Sequence, residues 1–411
     1  MDRRDFLRSS ALLSGLAFLR IGSHAWAAQN PSGARERLVV VFLRGAVDGL
    51  NVVVPYHEAA YYTMRPTIGI APPGHQDGAL DLDGHFGLHP QLAPLMPQWK
   101  DRSLAFVHAC GSPDETRSHF QAQTYMESGM PGVRTATDGW LNRTLAALPT
   151  PHPATEAVNF GPTMPAILKG AMPVASLPSA GGGGIGASAS LPPSLLHAGF
   201  DEMYAGSDSL SVAYRQGRTA HTQLMSELQQ DMTEASAGAP LPRGFAQDAA
   251  HFCKLVRKDP TIQVGFFALS GWDTHVREGG VAGGLATHLR QLAEGLAVFP
   301  TDLGDEGYRN TVIVVMSEFG RTARENGNAG TDHGHGNVMW VMGGAVNGGK
   351  VHGNWPGLAE EHLHEGRDLA VTTDFRTVLA SVLGGQLKLS RPALDKIFPN
   401  APAGSLPILR A

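Results

Sequence analysis

Residues Arg37–Leu43 read Arg-Leu-Val-Val-Val-Phe-Leu, an unbroken apolar run rich in β-branched side chains. A strand with one wet face alternates apolar and polar residues. A run without alternation suits a strand covered on both faces, as in a parallel sheet. Similar runs occur at Leu104–His108, Thr261–Leu269, Thr311–Met316 and Val338–Met342. Helical spacing appears between them. Residues 118–128 offer Phe120, Tyr125 and Met126 as core positions. Residues 282–299 repeat Leu285, Leu289, Leu292, Leu296 and Phe299 on one face. Residues 374–383 open on Thr372-Thr373-Asp374, a helix-start signal. Strands alternating with helices predict an α/β fold.

Composition narrows the class. The 411 residues are 42% hydrophobic and 17% charged, with a net charge of −5. Disordered chains need low hydrophobicity and high net charge, so most of this one is expected to fold. The charge gives no electrostatic reason to expect nucleic acid. Two cysteines exclude a disulfide scaffold. Residues 1–27 read as an export signal. Arg3-Arg4 precede Phe6-Leu7, a short apolar run follows from Ala11 to Leu19, and Ala25-Trp26-Ala27 is a cleavage site. The paired arginines are of the twin-arginine type, so a periplasmic or secreted protein passed by the twin-arginine export machinery is expected. No later stretch is apolar for long enough to span a bilayer. In an oxidising compartment, Cys110 and Cys253 either pair or stay as two buried thiols. Residues 28–411 are expected to form one domain. Within it, residues 171–258 open on a low-complexity stretch and continue into a long helical one. They are expected to form a flexible loop plus a helical cap.

Chemistry-bearing residues collect where the strands end. Asp332, His333 and His335 lie in Thr331-Asp-His-Gly-His-Gly-Asn337, directly before a strand. Aspartate and neutral imidazole are ligands for zinc, manganese or iron, and the glycines permit tight folding around an ion. Asp273 and His275 follow the strand ending at Leu269, two positions apart, and can both turn toward one ion. Loops outside the carboxyl ends of strands form the binding crevice of a parallel sheet. Glu318 follows the strand Thr311–Met316, with Arg321 and Arg324 near enough to bind an oxyanion. Asp48 stands past the first strand between glycines, a weaker signal because Asp-Gly is a common turn. Ser118 begins a predicted helix, where a hydroxyl can serve as a nucleophile, and Arg117 beside it can hold a substrate oxyanion. His85, His89, His108 and His352 read as ordinary core or surface residues.

The order of these motifs resembles one exported bacterial family, domain of unknown function 1501. The motifs are LRGAVDGLN, RSHFQAQTYMESG, GWDTH, MSEFGRT, TDHGHGN and TTDFRTVLASVLG. That family is similar in fold to the alkaline phosphatase, sulfatase and phosphoglycerate mutase superfamily. The resemblance implies a three-layer α/β/α sandwich around a mixed, mainly parallel sheet, with a two-metal site at the strand ends. It places Asp48 as a ligand of one metal and Ser118 as the nucleophile. Asp273 and His275 resemble an Asp-x-x-x-His ligand pair, at the shorter spacing Asp-x-His. Glu318 takes the place of an aspartate whose partner histidine is here Phe319. His333 or His335 resembles the last metal histidine, and Asp332 or His333 can replace the missing ligand.

The expected function is metal-dependent hydrolysis of phosphate or sulfate esters. One or two divalent ions (zinc, manganese, calcium or iron) and a small-molecule or glycan ester are implied. The alternative is a metal-stabilised, non-catalytic partner of a co-exported protein.

Overall fold

The computed structural model describes residues 35–149, 151–153, 155–180, 203–208, 210–212, 214–215, 230 and 232–410. The leader expected over 1–27 lies outside them. One nine-stranded sheet organises the chain. Its strands are β1 (Arg37–Leu43), β2 (Leu104–Gly111), β3 (Ala157–Phe160), β4 (Ala175–Leu177), β5 (Val264–Leu269), β6 (Thr311–Ser317), β7 (Asn337–Gly343), β8 (Lys350–His352) and β9 (Thr373–Asp374). The order is β8-β2-β7-β6-β1-β5-β3-β4, with β9 also paired to β2. Strand β7 runs antiparallel to β2 and β6, and every other pairing in this sheet is parallel. The five strands expected from apolar runs are all present. The short strands β3, β4 and β8, at or next to the sheet edges, were not legible, because three or four residues carry too little pattern.

The period of a strand explains the unbroken apolar runs. In β1, Val39, Val41 and Leu43 point into one core cluster, and Leu38, Val40 and Phe42 into the other. Helices α1 (His119–Ser128), α2 (Trp140–Ala147), α3 (Phe245–Lys258), α4 (Gly284–Arg309), α5 (Phe375–Gln386) and α6 (Arg391–Ile397) cover the two faces. On the first face, α3 and α4 bring Phe245, Phe252, Leu289, Leu296 and Phe299. On the second, α2, α5 and α6 bring Trp140, Val378 and Ile397. Each such side chain contributes about 1.5–3 kcal/mol relative to exposure. The result is the three-layer α/β/α sandwich with a mixed, mainly parallel sheet.

Two expectations change, and one left open is resolved. Phe120 is 82% exposed rather than in the core. His119 takes the inward position at the start of α1, and the next residue turns about 100° outward. The excursion expected over 171–258 is narrower. Strand β4 lies in the sheet and α3 packs on it, so both belong to the sandwich. Residues 181–202 and 216–229 lie outside the described residues. Cys110 and Cys253 are free, buried thiols packed in clusters on opposite faces of the sheet.

His89 and His108 are satisfied core residues. Nδ1 of His108 accepts from the Ala109 amide at 3.0 Å, and its Nε2 donates to the Val53 carbonyl at 2.9 Å. His89 does the same with the Gln91 amide and the Gly280 carbonyl, each at 3.1 Å. Among the described residues, no helix is long and apolar enough to cross a membrane.

The strand directions fix where the site lies. The carboxyl ends of β1, β2, β5 and β6 share one edge of the sheet. Because β7 is antiparallel, the loop entering it reaches that same edge.

Candidate metal centre

Four side chains meet at this edge, from two loops and one helix start. His119 is the first residue of α1, which follows β2. Asp273 and His275 follow β5, and His333 precedes β7. Nε2 of His333 lies 2.9 Å from Nε2 of His119 and 2.8 Å from Nε2 of His275. Asp273 Oδ1 lies 3.0 Å from His275 Nε2 and 3.5 Å from His333 Nε2, and Asp273 Oδ2 lies 3.5 Å from His119 Nε2. His119, Asp273 and His333 each offer one ligand atom within 4.8 Å of the others.

The opposite edge of each ring decides what Nε2 presents. His119 Nδ1 lies 2.7 Å from Glu318 Oε1, His275 Nδ1 lies 3.2 Å from Asp332 Oδ1, and His333 Nδ1 lies 2.9 Å from the Arg117 carbonyl. All three partners are acceptors, so all three Nδ1 atoms carry the proton. A ring that is neutral in this tautomer aims an Nε2 lone pair at the same point. One lone pair on His333 cannot accept from both neighbours at once, whereas one cation satisfies all three. Carboxylate or carbonyl support behind each imidazole is the usual arrangement around a metal-binding histidine. The donor set, three imidazole nitrogens and a carboxylate, fits a divalent ion such as zinc or iron.

Electrostatics support the same point. Burial works against the Asp273 carboxylate, but the imidazoles of His119, His275 and His333 around it, together with Arg321, hold it well below the ordinary carboxylate range. Burial also works against His119 being charged. The neighbouring Asp273 and Glu318 carboxylates win, raising it to about 9. Burial and the neighbouring His119 keep His333 low. Glu318 is fully buried and its Oε1 also accepts from the Gly45 amide at 2.8 Å and Gln123 Nε2 at 2.9 Å. Burial opposes the Glu318 carboxylate, and His119 nonetheless holds it low.

Two glycines permit these approaches. Gly45 has φ +116, and a Cβ there would sit 2.5 Å from the Asp273 amide nitrogen. At Gly334 a Cβ would lie 2.4 Å from the Arg321 carbonyl oxygen, so a side chain would push the loop of His333 off that of Arg321.

Of the residues expected as ligands, the structure brings together Asp273, His275 and His333. Four others are placed outside it. Asp48 is buried, and both its oxygens are taken by the Arg65 guanidinium, with Nη2 to Oδ1 at 2.9 Å. Glu318 and Asp332 stand behind His119 and His275, each holding a ring by Nδ1. His335 packs on the His364 ring, centroids 4.6 Å apart, away from the cluster. Arg117 is committed to Asp368, at 2.8 Å, and to Glu365, so its guanidinium is not free for a substrate; only its carbonyl serves the site. Ser118 is exposed at the cap of α1, and its hydroxyl makes no cap bond. Arg321 is 1% exposed and donates Nη2 to Asp273 Oδ1 at 2.8 Å. Its Nε and Nη1, like Asp273 Oδ2, have no hydrogen-bond partner among the described residues. His119 was missed. The signal was its position beside Ser118 at a helix start after a strand.

Phe319 fills the place where a partner histidine is expected. Its ring lies against His119 at 4.8 Å and His333 at 5.3 Å, walling the cluster with carbon.

Comparison with known proteins places the chain. No curated protein matches it. It is similar to a protein in the alkaline phosphatase superfamily from Vibrio parahaemolyticus, at 10% identity and TM-score 0.34, over 78% of this chain and 63% of that one. The chain thus spans less than two thirds of that protein's length. It is also similar to a 2-O GAG sulfatase, at 9% identity and TM-score 0.42, over 90% of this chain and 76% of that one. A third similarity is to the lipoteichoic acid synthase LtaP from Listeria monocytogenes, at 7% identity and TM-score 0.36, over 87% and 73%. The family described as Protein of unknown function (DUF1501) matches residues 35–398. With that span matched, the chain belongs to the DUF1501 family.

Proposed function

We propose that this protein is an exported, metal-dependent hydrolase of phosphate or sulfate esters. The observation that carries the reading is the meeting of three histidine lone pairs and the Asp273 carboxylate beside a buried guanidinium with two unpartnered donors. A divalent ion bound there supplies Lewis-acid stabilisation of developing negative charge. Arg321 is held rigid by Asp273, so its free N–H groups are aimed before substrate arrives, which is the condition for stabilising an oxyanion. Ser118 Oγ forms the new bond to phosphorus or sulfur while the ester oxygen leaves. The hydroxyl proton ends on the departing alcohol, and water then cleaves the serine ester. Removal of residues 1–27 after twin-arginine export is part of the same proposal.

The Phe319 wall and the Asp48–Arg65 pair favour one ion rather than two. They also motivate a second reading, a metal-stabilised binding partner without turnover. Aryl phosphates and sulfates, offered to the metal-loaded protein across several divalent ions, separate the two. Hydrolysis is expected, and Ser118→Ala, an exposed change, should lower kcat by about 10³-fold or more. Full metal loading with no turnover of any such ester would sink the hydrolase reading. Turnover untouched by Ser118→Ala would remove the serine from it.

A further inference from the structure

A group outside the cluster ties together the two loops that carry three of its four members. Glu278 is fully buried. Its Oε2 accepts from Thr274 Oγ1 at 3.0 Å and from Thr331 Oγ1 at 2.6 Å. Thr274 sits between Asp273 and His275, and Thr331 sits two residues before His333. One carboxyl oxygen therefore bridges the loop after β5 and the loop before β7. Backbone bonds run alongside it, from the Thr331 amide to the Thr274 carbonyl at 3.1 Å and from the Glu278 amide to the Ala329 carbonyl at 2.9 Å. These fix the direction of the loops. The glutamate bridge fixes the threonines on either side of the ligands.

We propose that Glu278 is the positioning residue that sets the spacing of His275 and Asp273 against His333. This rests on the metal reading above. The other oxygen of Glu278, Oε1, receives no hydrogen bond, and the carboxyl interacts with that of Asp48, which is already paired with Arg65. Burial and the Asp48 carboxylate push the Glu278 carboxyl well above its ordinary range. What the bridge uses is one oxygen that accepts from two hydroxyls. A glutamine keeps such an oxygen. An alanine has none.

The test is zinc and cobalt(II) titration of the full-length, metal-stripped protein. Glu278→Gln should bind zinc within about threefold of the parent, while Glu278→Ala should bind about 10–100-fold more weakly, as for other loss of support behind ligands. The cobalt(II) absorption bands should shift in the alanine variant and not in the glutamine one. A purely structural role would lower Tm without moving the bands. If Glu278→Ala does not fold, the pair Thr274→Val with Thr331→Val, which keeps the acid, should show the same loss. Wild-type zinc affinity and bands in Glu278→Ala, or in the threonine pair, would overturn the proposal. So would a glutamine variant as weak as the alanine one. A parent protein that binds neither metal would instead defeat the metal reading itself.

Discussion

His333→Ala is expected to abolish stoichiometric metal binding. Its Nε2 is the one atom within 2.9 Å of both other imidazole Nε2 atoms, so it is the hub of the donor set. Losing it leaves Asp273 as the one group linking His119 and His275. Removal of support behind a ligand already costs about 10–100-fold in affinity, so loss of the central ligand should cost about 10³-fold or more. Competition titration with a zinc chelator measures this. The contrast is His335→Ala, two residues away in the same glycine-rich motif. His335 packs on His364 and holds no member of the cluster, so its loss should leave affinity unchanged. Equal losses in the two variants would mean that the motif, not this geometry, binds the ion.

Stability should fall steeply on mild acidification, and two core histidines are the reason. Burial keeps His89 and His108 down to about 4, against an ordinary 6.5. The folded protein therefore binds fewer protons at these rings than the unfolded chain. Their contribution is fully present above about pH 6.5 and is lost as pH falls toward about 4, at on the order of 3 kcal/mol for each ring. Protonation would also place a proton on Nδ1, which now accepts from the Gln91 or Ala109 amide. Urea midpoints between pH 7 and pH 4.5, with chelator present to keep metal out, should show the fall. His108→Gln should flatten it. A pH dependence identical in the parent and in His108→Gln would contradict the assignment.

The fold was legible where burial on both faces left a continuous apolar run, as in β1, β2, β5, β6 and β7. Strands of three or four residues were not, because so short a run is indistinguishable from loop. The site was legible in kind rather than in membership. Asp273, His275 and His333 stand out because glycines and polar residues interrupt apolar sequence just at the strand ends. His119 did not stand out, because a histidine in a helix looks like any surface residue until the turn of α1 points it inward. Asp48 and Glu318 misled for a shared reason. A buried carboxylate past a strand reads as a ligand, and sequence cannot show that Arg65 or His119 already occupies it. Glu278 gave no signal at all, since it works through one hydroxyl on its own loop and one on the loop before β7.

The central claim is that one ion sits where the three histidine Nε2 atoms converge. Diffraction from a zinc-loaded crystal, collected on both sides of the zinc absorption edge, locates the ion directly. One anomalous peak is expected at about 2.0–2.2 Å from Nε2 of His119, His275 and His333 and from an oxygen of Asp273. No peak at this point, or a peak at Asp48 or His335 instead, would contradict the account.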